Sequence, residues 1–280
     1  MTPFVAGLVL CAALLHATWN ALLRSGLDRL WSITVMSITT AVLAVPVLPF
    51  LPLPAMASWP YLSLSAVLQV GYSVALVLAY RHAELGQVYP VVRGSAPLLV
   101  TLGAALAIGE RPGAATAAGI VLVSAGIMSL ALGKAAAKPI AVAAALVTGC
   151  IIACYTVTDA VGVRLSGSPF AYAAWLFILY GALMPLAFLA IRRGRPAERT
   201  KTGLGAAQTL TAIAAGIVQI VTYGVVIWAY TASPVGPIAA LRETSVVFAA
   251  LIGHAFLGEA LTPRRLTACA VIALGAFCLS

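Results

Sequence analysis

The sequence predicts an all-α integral membrane protein: ten transmembrane helices arranged as two inverted repeats of five. Three observations carry that prediction. Of 280 residues, 62% are hydrophobic and only 8% are charged, whereas soluble domains carry about 25% charged residues. So few charges cannot build a solvated surface, and so apolar a chain would collapse rather than stay disordered. The apolar residues also fall into ten runs of the length, about 20 residues, that a bilayer-crossing helix needs. Finally, the chain matches itself at a shift of about 150 residues.

The runs lie at 3–23, 30–51, 59–80, 88–108, 113–132, 139–161, 169–191, 206–230, 236–257 and 264–279. Short loops join them and leave no space for a soluble domain. Stretches such as ATAAGIVLVSAGIMSLAL lack the period-two alternation of a membrane barrel strand. The first span has no basic region before it and is longer than a signal-peptide core, so it reads as a retained helix. Trp31 and Trp59 open spans two and three and suit interfacial anchoring. Spans five and ten are almost free of polar side chains beyond Ser and Thr. Their Gly119, Gly126 and Gly275 suit close packing or a dimer surface, in a monomer or a homodimer. Cys11, Cys150, Cys154, Cys269 and Cys278 all fall inside spans and read as packing residues, not as disulfides or metal ligands.

The net charge of +9 reads as topology. Ten spans put both termini on one side. Arg24, Arg29, Arg81, Lys134, Lys138, Arg192, Arg193, Arg195, Arg199, Lys201, Arg264 and Arg265 lie in one set of loops, and only Arg111 and Arg164 lie in the other. Basic residues in short loops mark the cytoplasmic side, so both termini are expected outside. The same count removes any need for a nucleic-acid partner.

The self-match sets AYRHAELGQVYPVVRGSAPLLVTLGAALAIGERP over AYTASPVGPIAALRETSVVFAALIGHAFLGEALTP. Arg93 falls on Arg242, Gly109-Glu110 on Gly258-Glu259, and, upstream, Gln69 on Gln219. With a different loop length, His16-Ala-Thr-Trp-Asn20 lies over Tyr155-Thr-Val-Thr-Asp159. The expected units are therefore residues 1–135 and 136–280. Each holds an odd number of spans, so the two must cross the membrane in opposite senses, a recurrent design of secondary transporters. With the paired Gly-Glu motifs after spans four and nine, and Ala-Tyr closing spans three and eight, the chain resembles the EamA branch of the drug/metabolite transporter superfamily along its whole length. The resemblance implies a bundle that opens alternately to either side around a central cavity, exporting or exchanging small solutes. Many ten-helix relatives are expected to keep both termini in the cytoplasm and to have a basic second loop. Here that loop, 50–58, is uncharged, and orientation follows the chain's own charges.

A charge inside the hydrocarbon region is expensive, so each one is a functional candidate. Arg93 and Arg242 lie a few residues into spans four and nine, beside helix-breaking Pro90 and Pro237. Snorkelling would explain either arginine alone. As repeat mates, they favour a cavity that accepts an anionic group through bidentate guanidinium contacts. Asp159 and Glu243 either neutralise an arginine or carry a proton between access states. His16, one helical turn from Asn20 and able to titrate near neutrality, is a further proton candidate. Trp19, Asn20, Gln69, Tyr72, Tyr89, Tyr155, Gln219 and Tyr223 complete the expected cavity lining, with interhelical packing as the plainer alternative. Glu110 and Glu259 suit loop hydrogen bonding or gating.

No motif for hydrolytic, zinc or phosphate-loop chemistry occurs, so an enzyme is disfavoured and no cofactor or metal is expected. The expected function is secondary transport in a bacterial inner membrane. The cargo is a small polar or amphipathic metabolite, such as an amino acid or other organic anion or zwitterion, with proton coupling as an option. The alternatives are a multidrug or cation carrier, a non-catalytic membrane subunit and a passive channel.

Overall fold

In a computed structural model, residues 1–23, 28–82, 85–131, 139–193 and 205–279 are described. The expected boundary at 135–136 and the basic residues Arg24, Lys134, Lys138, Arg195, Arg199 and Lys201 lie outside them. The described chain is nearly all helical. In order come α1 (Pro3–Leu23), α2 (Arg29–Ala44), α3 (Trp59–His82), α4 (Leu85–Ile108), α5 (Ala114–Ser129) and α6 (Pro139–Leu165). They are followed by α7 (Pro169–Arg193), α8 (Ala206–Ala232), α9 (Val235–Arg242), α10 (Ser245–Leu257) and α11 (Pro263–Phe277). Seven stretches are long and apolar enough to cross a membrane.

Local chemistry explains most of the boundaries. Asp28 caps α2 by accepting from the Trp31 amide at 3.0 Å, and its carboxylate also pairs with Arg192 at the end of α7. Thr262 caps α11, with Pro263 in the first turn. Gly109 and Gly258 both adopt left-handed backbone (φ 69° and 66°). The next amide reaches back six residues in each case, Glu110 to Ala104 O at 3.3 Å and Glu259 to Gly253 O at 3.0 Å. A glycine after the helix is what this ending requires.

Two expected spans differ from their continuous form. The second leaves α-helical geometry at Ala44 and finishes as a 3-10 turn, Val45–Phe50, because Pro46 and Pro49 cannot sustain the ladder. The ninth is broken between α9 and α10. Around the break the bonds contract to i→i−3: Glu243 N to Ala240 O and Thr244 N to Leu241 O, both at 3.1 Å. The Thr244 hydroxyl takes the Leu241 carbonyl at 2.7 Å, a back-bond that bends helices. A 3-10 step inside a long helix often marks a functional hinge. The prolines are not the breakers: α4 runs through Pro90 and Pro97, and Pro237 lies harmlessly in the first turn of α9.

Packing follows a paired pattern. Helix α1 lies on α8 as α6 lies on α3, α2 meets α8 as α7 meets α3, and α1 meets α9 and α10 as α6 meets α4. Three contacts join like to like: α2 with α7, α5 with α11, and α4 with α9. The core runs through this assembly, from Val9 and Ala12 of α1 to Ile227 and Ile238 of α8 and α9. Around it, Phe4, Leu106, Phe256 and Phe277 stand exposed, a surface made for lipid tails rather than water.

Glycine lets α5 and α11 touch. A Cβ at Gly119 would stand 2.8 Å from the Gly275 carbonyl oxygen, and one at Gly126 would stand 2.7 Å from Ile272. These small residues therefore serve contact within the chain. Cys11, Cys150 and Cys154 are exposed on the outside of the bundle and not packed inside it.

Candidate functional site

Two polar clusters occupy the interior. The first forms where α1, α4 and the α9–α10 break converge. Arg93 of α4 donates to Glu243 Oε1 at 3.1 Å, with side chains only 5% and 1% exposed. The same guanidinium contacts His16 Nε2 on α1 and donates from Nε to the Tyr89 hydroxyl at 3.2 Å, one turn earlier on α4. A guanidinium only donates, so in this contact His16 can serve only as an acceptor through Nε2. Trp19 packs edge-on against His16, with ring centroids 4.9 Å apart. Asn20 turns back to the His16 carbonyl at 2.8 Å and so bonds within its own helix.

The second cluster surrounds Asp159 of α6, which is fully buried. One carboxylate oxygen accepts from Tyr172 of α7 at 3.0 Å, the other from Tyr223 of α8 at 2.5 Å. The Gln69 amide of α3 bridges Asp159 (3.5 Å), Tyr223 (3.4 Å) and Ser65 (3.1 Å). Four helices thus meet on one carboxylate, whose direct partners are hydroxyls and an amide rather than an arginine. Tyr72 and Tyr155 pack nearby as a T-shaped pair at 5.8 Å.

The two acids therefore divide. Glu243 neutralises an arginine, as one sequence reading allowed, while Asp159 is held by tyrosines. Arg242, on the last turn of α9, is 4% exposed and forms no hydrogen bond or ion pair among the described residues. Trp19 Nε1, Thr156 Oγ1, Gln219 Oε1, Tyr230 OH and Glu243 Oε2 are likewise buried without a hydrogen bond. Such orphaned polar atoms are uncommon and call for an explanation.

At the end of the bundle where both termini lie, Glu110 ties α6 to the start of α9 like a latch. Its Oε2 accepts from the Val235 amide opening α9 at 2.8 Å, and its Oε1 from Arg164 of α6 at 2.7 Å. Arg164 also holds the carbonyls of Tyr230 (2.9 Å) and Ser233 (3.3 Å). Beside the latch lies a cleft of about 340 Å³ lined by Thr101, Glu110, Thr116, Gly236 and Pro237. At the opposite end Glu259 pairs with Arg265 at 2.9 Å, and Arg264 holds the Ser129 carbonyl.

Sequence reasoning named His16, Tyr89, Arg93, Glu243, Gln69, Asp159 and Tyr223 one by one, and the structure sorts them into these two clusters. It missed Tyr172, a lone polar tip in an alanine-rich helix start with no repeat mate to single it out. It also missed Ser65 and the Arg164 latch, since a loop arginine gives no sign of which carbonyls it will cap.

The fold and its buried polar centre define a multi-pass α-helical membrane protein with ionisable groups gathered between its helices. Residues 139–280 match the model of the EamA-like transporter family. The chain belongs to that family, within the drug/metabolite transporter superfamily, and the family is one of transporters, not enzymes. A solved crystal structure superposes with a TM-score of 0.74 over 99% of this chain and 95% of its own length, at 20% identity, which is a likeness of fold. No curated protein sequence matches the chain.

Proposed function

We propose that the protein is a secondary transporter that moves a small polar or amphipathic metabolite, an organic anion or zwitterion, across a bacterial inner membrane by alternating access. The observation that carries this reading is the buried ion pair between Arg93 and Glu243. It ties α4 in the first half to the broken helix in the second, and the break supplies a place for the backbone to flex. Interrupted helices meeting near the centre of two repeats are where transporter sites form. The paired packing of helices and the matching Gly-Glu endings support two inverted repeats of five spans.

Under this reading the Glu110–Arg164 latch closes the end that carries the termini. Asp159, in no direct contact with an arginine and ringed by hydroxyls, is the proton-coupling group. Export is the direction that the family resemblance favours, and the charge count places both termini outside. Reconstitution in proteoliposomes tests the transport reading: a carrier gives saturable uptake accelerated by unlabelled solute on the opposite side. Linear, unsaturable flux would make it a pore.

A further inference from the structure

The sequence offers Arg93 and Arg242 as equivalents, but their surroundings separate them. Arg93 has a carboxylate, a histidine and a tyrosine hydroxyl. Arg242 is equally buried and makes no hydrogen bond or ion pair among the described residues, although Tyr230, Tyr155 and Glu243 lie within electrostatic range of it. The repeat explains why. At the shift that sets Arg93 on Arg242, Glu243 falls on Gly94. Arg93 thus borrows the acid of the other half, and the reciprocal acid for Arg242 does not exist. Nor can one be placed there, since a Cβ at Gly94 would meet Met128 Cγ at 2.5 Å and Ser124 O at 3.0 Å. The remaining core carboxylate, Asp159, is engaged by Tyr172, Tyr223 and Gln69 and makes no ion pair with Arg242.

The geometry points to Arg242 as the residue that receives the oxyanion of the transported solute, a carboxylate or a phosphate, while Arg93 is a fixed strut paired with Glu243. This assignment rests on the transport reading above. A guanidinium nine-tenths buried and unpaired is costly, and it is retained where a ligand completes it. The ligand would also find Tyr230 OH and Thr156 Oγ1, buried beside each other with no other hydrogen-bond partner among the described residues. The cleft beside Glu110 reaches Gly236 and Pro237, and Arg242 lies five buried residues further along α9, about 8 Å at 1.5 Å per residue, so a solute reaches it only when the bundle opens. A planar fork of donors suits two oxygens on one centre.

The experiment needs no flux. Purified protein in detergent is titrated with sodium acetate, sodium benzoate and sodium phosphate, against sodium chloride at equal ionic strength, while Tm is followed. At least one oxyanion is expected to raise the Tm of the natural protein saturably, with Arg242→Gln weakening its affinity on the order of tenfold or more. The carboxylate and phosphate arms tell the two chemistries apart. In the absence of ligand, Arg242→Met is expected to raise Tm and Arg93→Met to lower it, a contrast that a merely structural Arg242 would not give. Oxyanion responses that are absent, or equal in the natural protein and Arg242→Gln, overturn the assignment. So does a loss of Tm in Arg242→Met matching that in Arg93→Met. Saturable counterflow with an intact oxyanion response in Arg242→Gln would sink this site and leave the transport reading standing; no counterflow of any solute would sink the latter.

Discussion

Replacing Arg93 by Met leaves Glu243 as a buried carboxylate without its ion-pair partner, the guanidinium at 3.1 Å. At an effective dielectric constant of 20, two unit charges that far apart attract by about 5 kcal/mol. The side chains are 5% and 1% exposed, so solvent screens little of this. Breaking such a pair from one side costs about 3–5 kcal/mol, whereas replacing both members with apolar residues is often nearly neutral. Arg93→Met and Glu243→Met should each lower Tm in detergent, and the double variant should be more stable than either. Tryptophan fluorescence during a thermal ramp reads the four proteins of the cycle. If the double variant loses the sum of the single losses, the residues are uncoupled and the reasoning that joins α4 to the broken helix is refuted.

The remaining predictions concern packing, the latch and the proton. Gly119→Val should destabilise by about 1–3 kcal/mol, because its Cβ would collide with the Gly275 carbonyl. Gly7→Ala, with open space around it, should be neutral or slightly stabilising; equal losses in a denaturation assay would contradict the close contact of α5 and α11. Glu110→Gln should cost about 1 kcal/mol or less, as the Arg164 side chain is 34% exposed. It should nevertheless speed labelling of a Thr101→Cys variant by a membrane-impermeant maleimide, and an unchanged rate would argue against a latch. Asp159→Asn should leave solute exchange between equal pH compartments in place while abolishing its response to a pH gradient. A retained response would move the proton elsewhere. A reporter fused to the C-terminus should be active outside the cytoplasm, and cytoplasmic activity would reverse the orientation read from the charges.

How much of this the sequence disclosed depends on what kind of signal each feature leaves. Helix number and type come from apolar run length, which tertiary context does not override in lipid, so the helices, with seven stretches long and apolar enough to cross a membrane, were legible. So were the Gly-Glu endings, because a left-handed turn leaves a glycine behind. The break in the ninth span was legible in principle, since Arg242-Glu243-Thr244-Ser245 puts four polar residues in a row inside an apolar run. Pro237, the expected breaker, sits in a first turn where proline is tolerated. The partner of Glu243 was not legible, because the nearest arginine in sequence, Arg242, is not the one it meets. Only the packing of α4 against α9 brings Arg93 there. Tyr172 was hidden for a similar reason: it reaches Asp159 from a helix whose sequence shows no polar face.

The central claim is that the buried charges serve a solute that passes between the two halves. Counterflow in proteoliposomes tests it most directly, using a panel of labelled amino acids and small organic acids with the natural protein and Arg242→Gln side by side. The account predicts saturable, trans-accelerated exchange for at least one oxyanion-bearing solute, with loss of that exchange in the variant. Exchange of uncharged or cationic solutes only, at equal rates in both proteins, would contradict it.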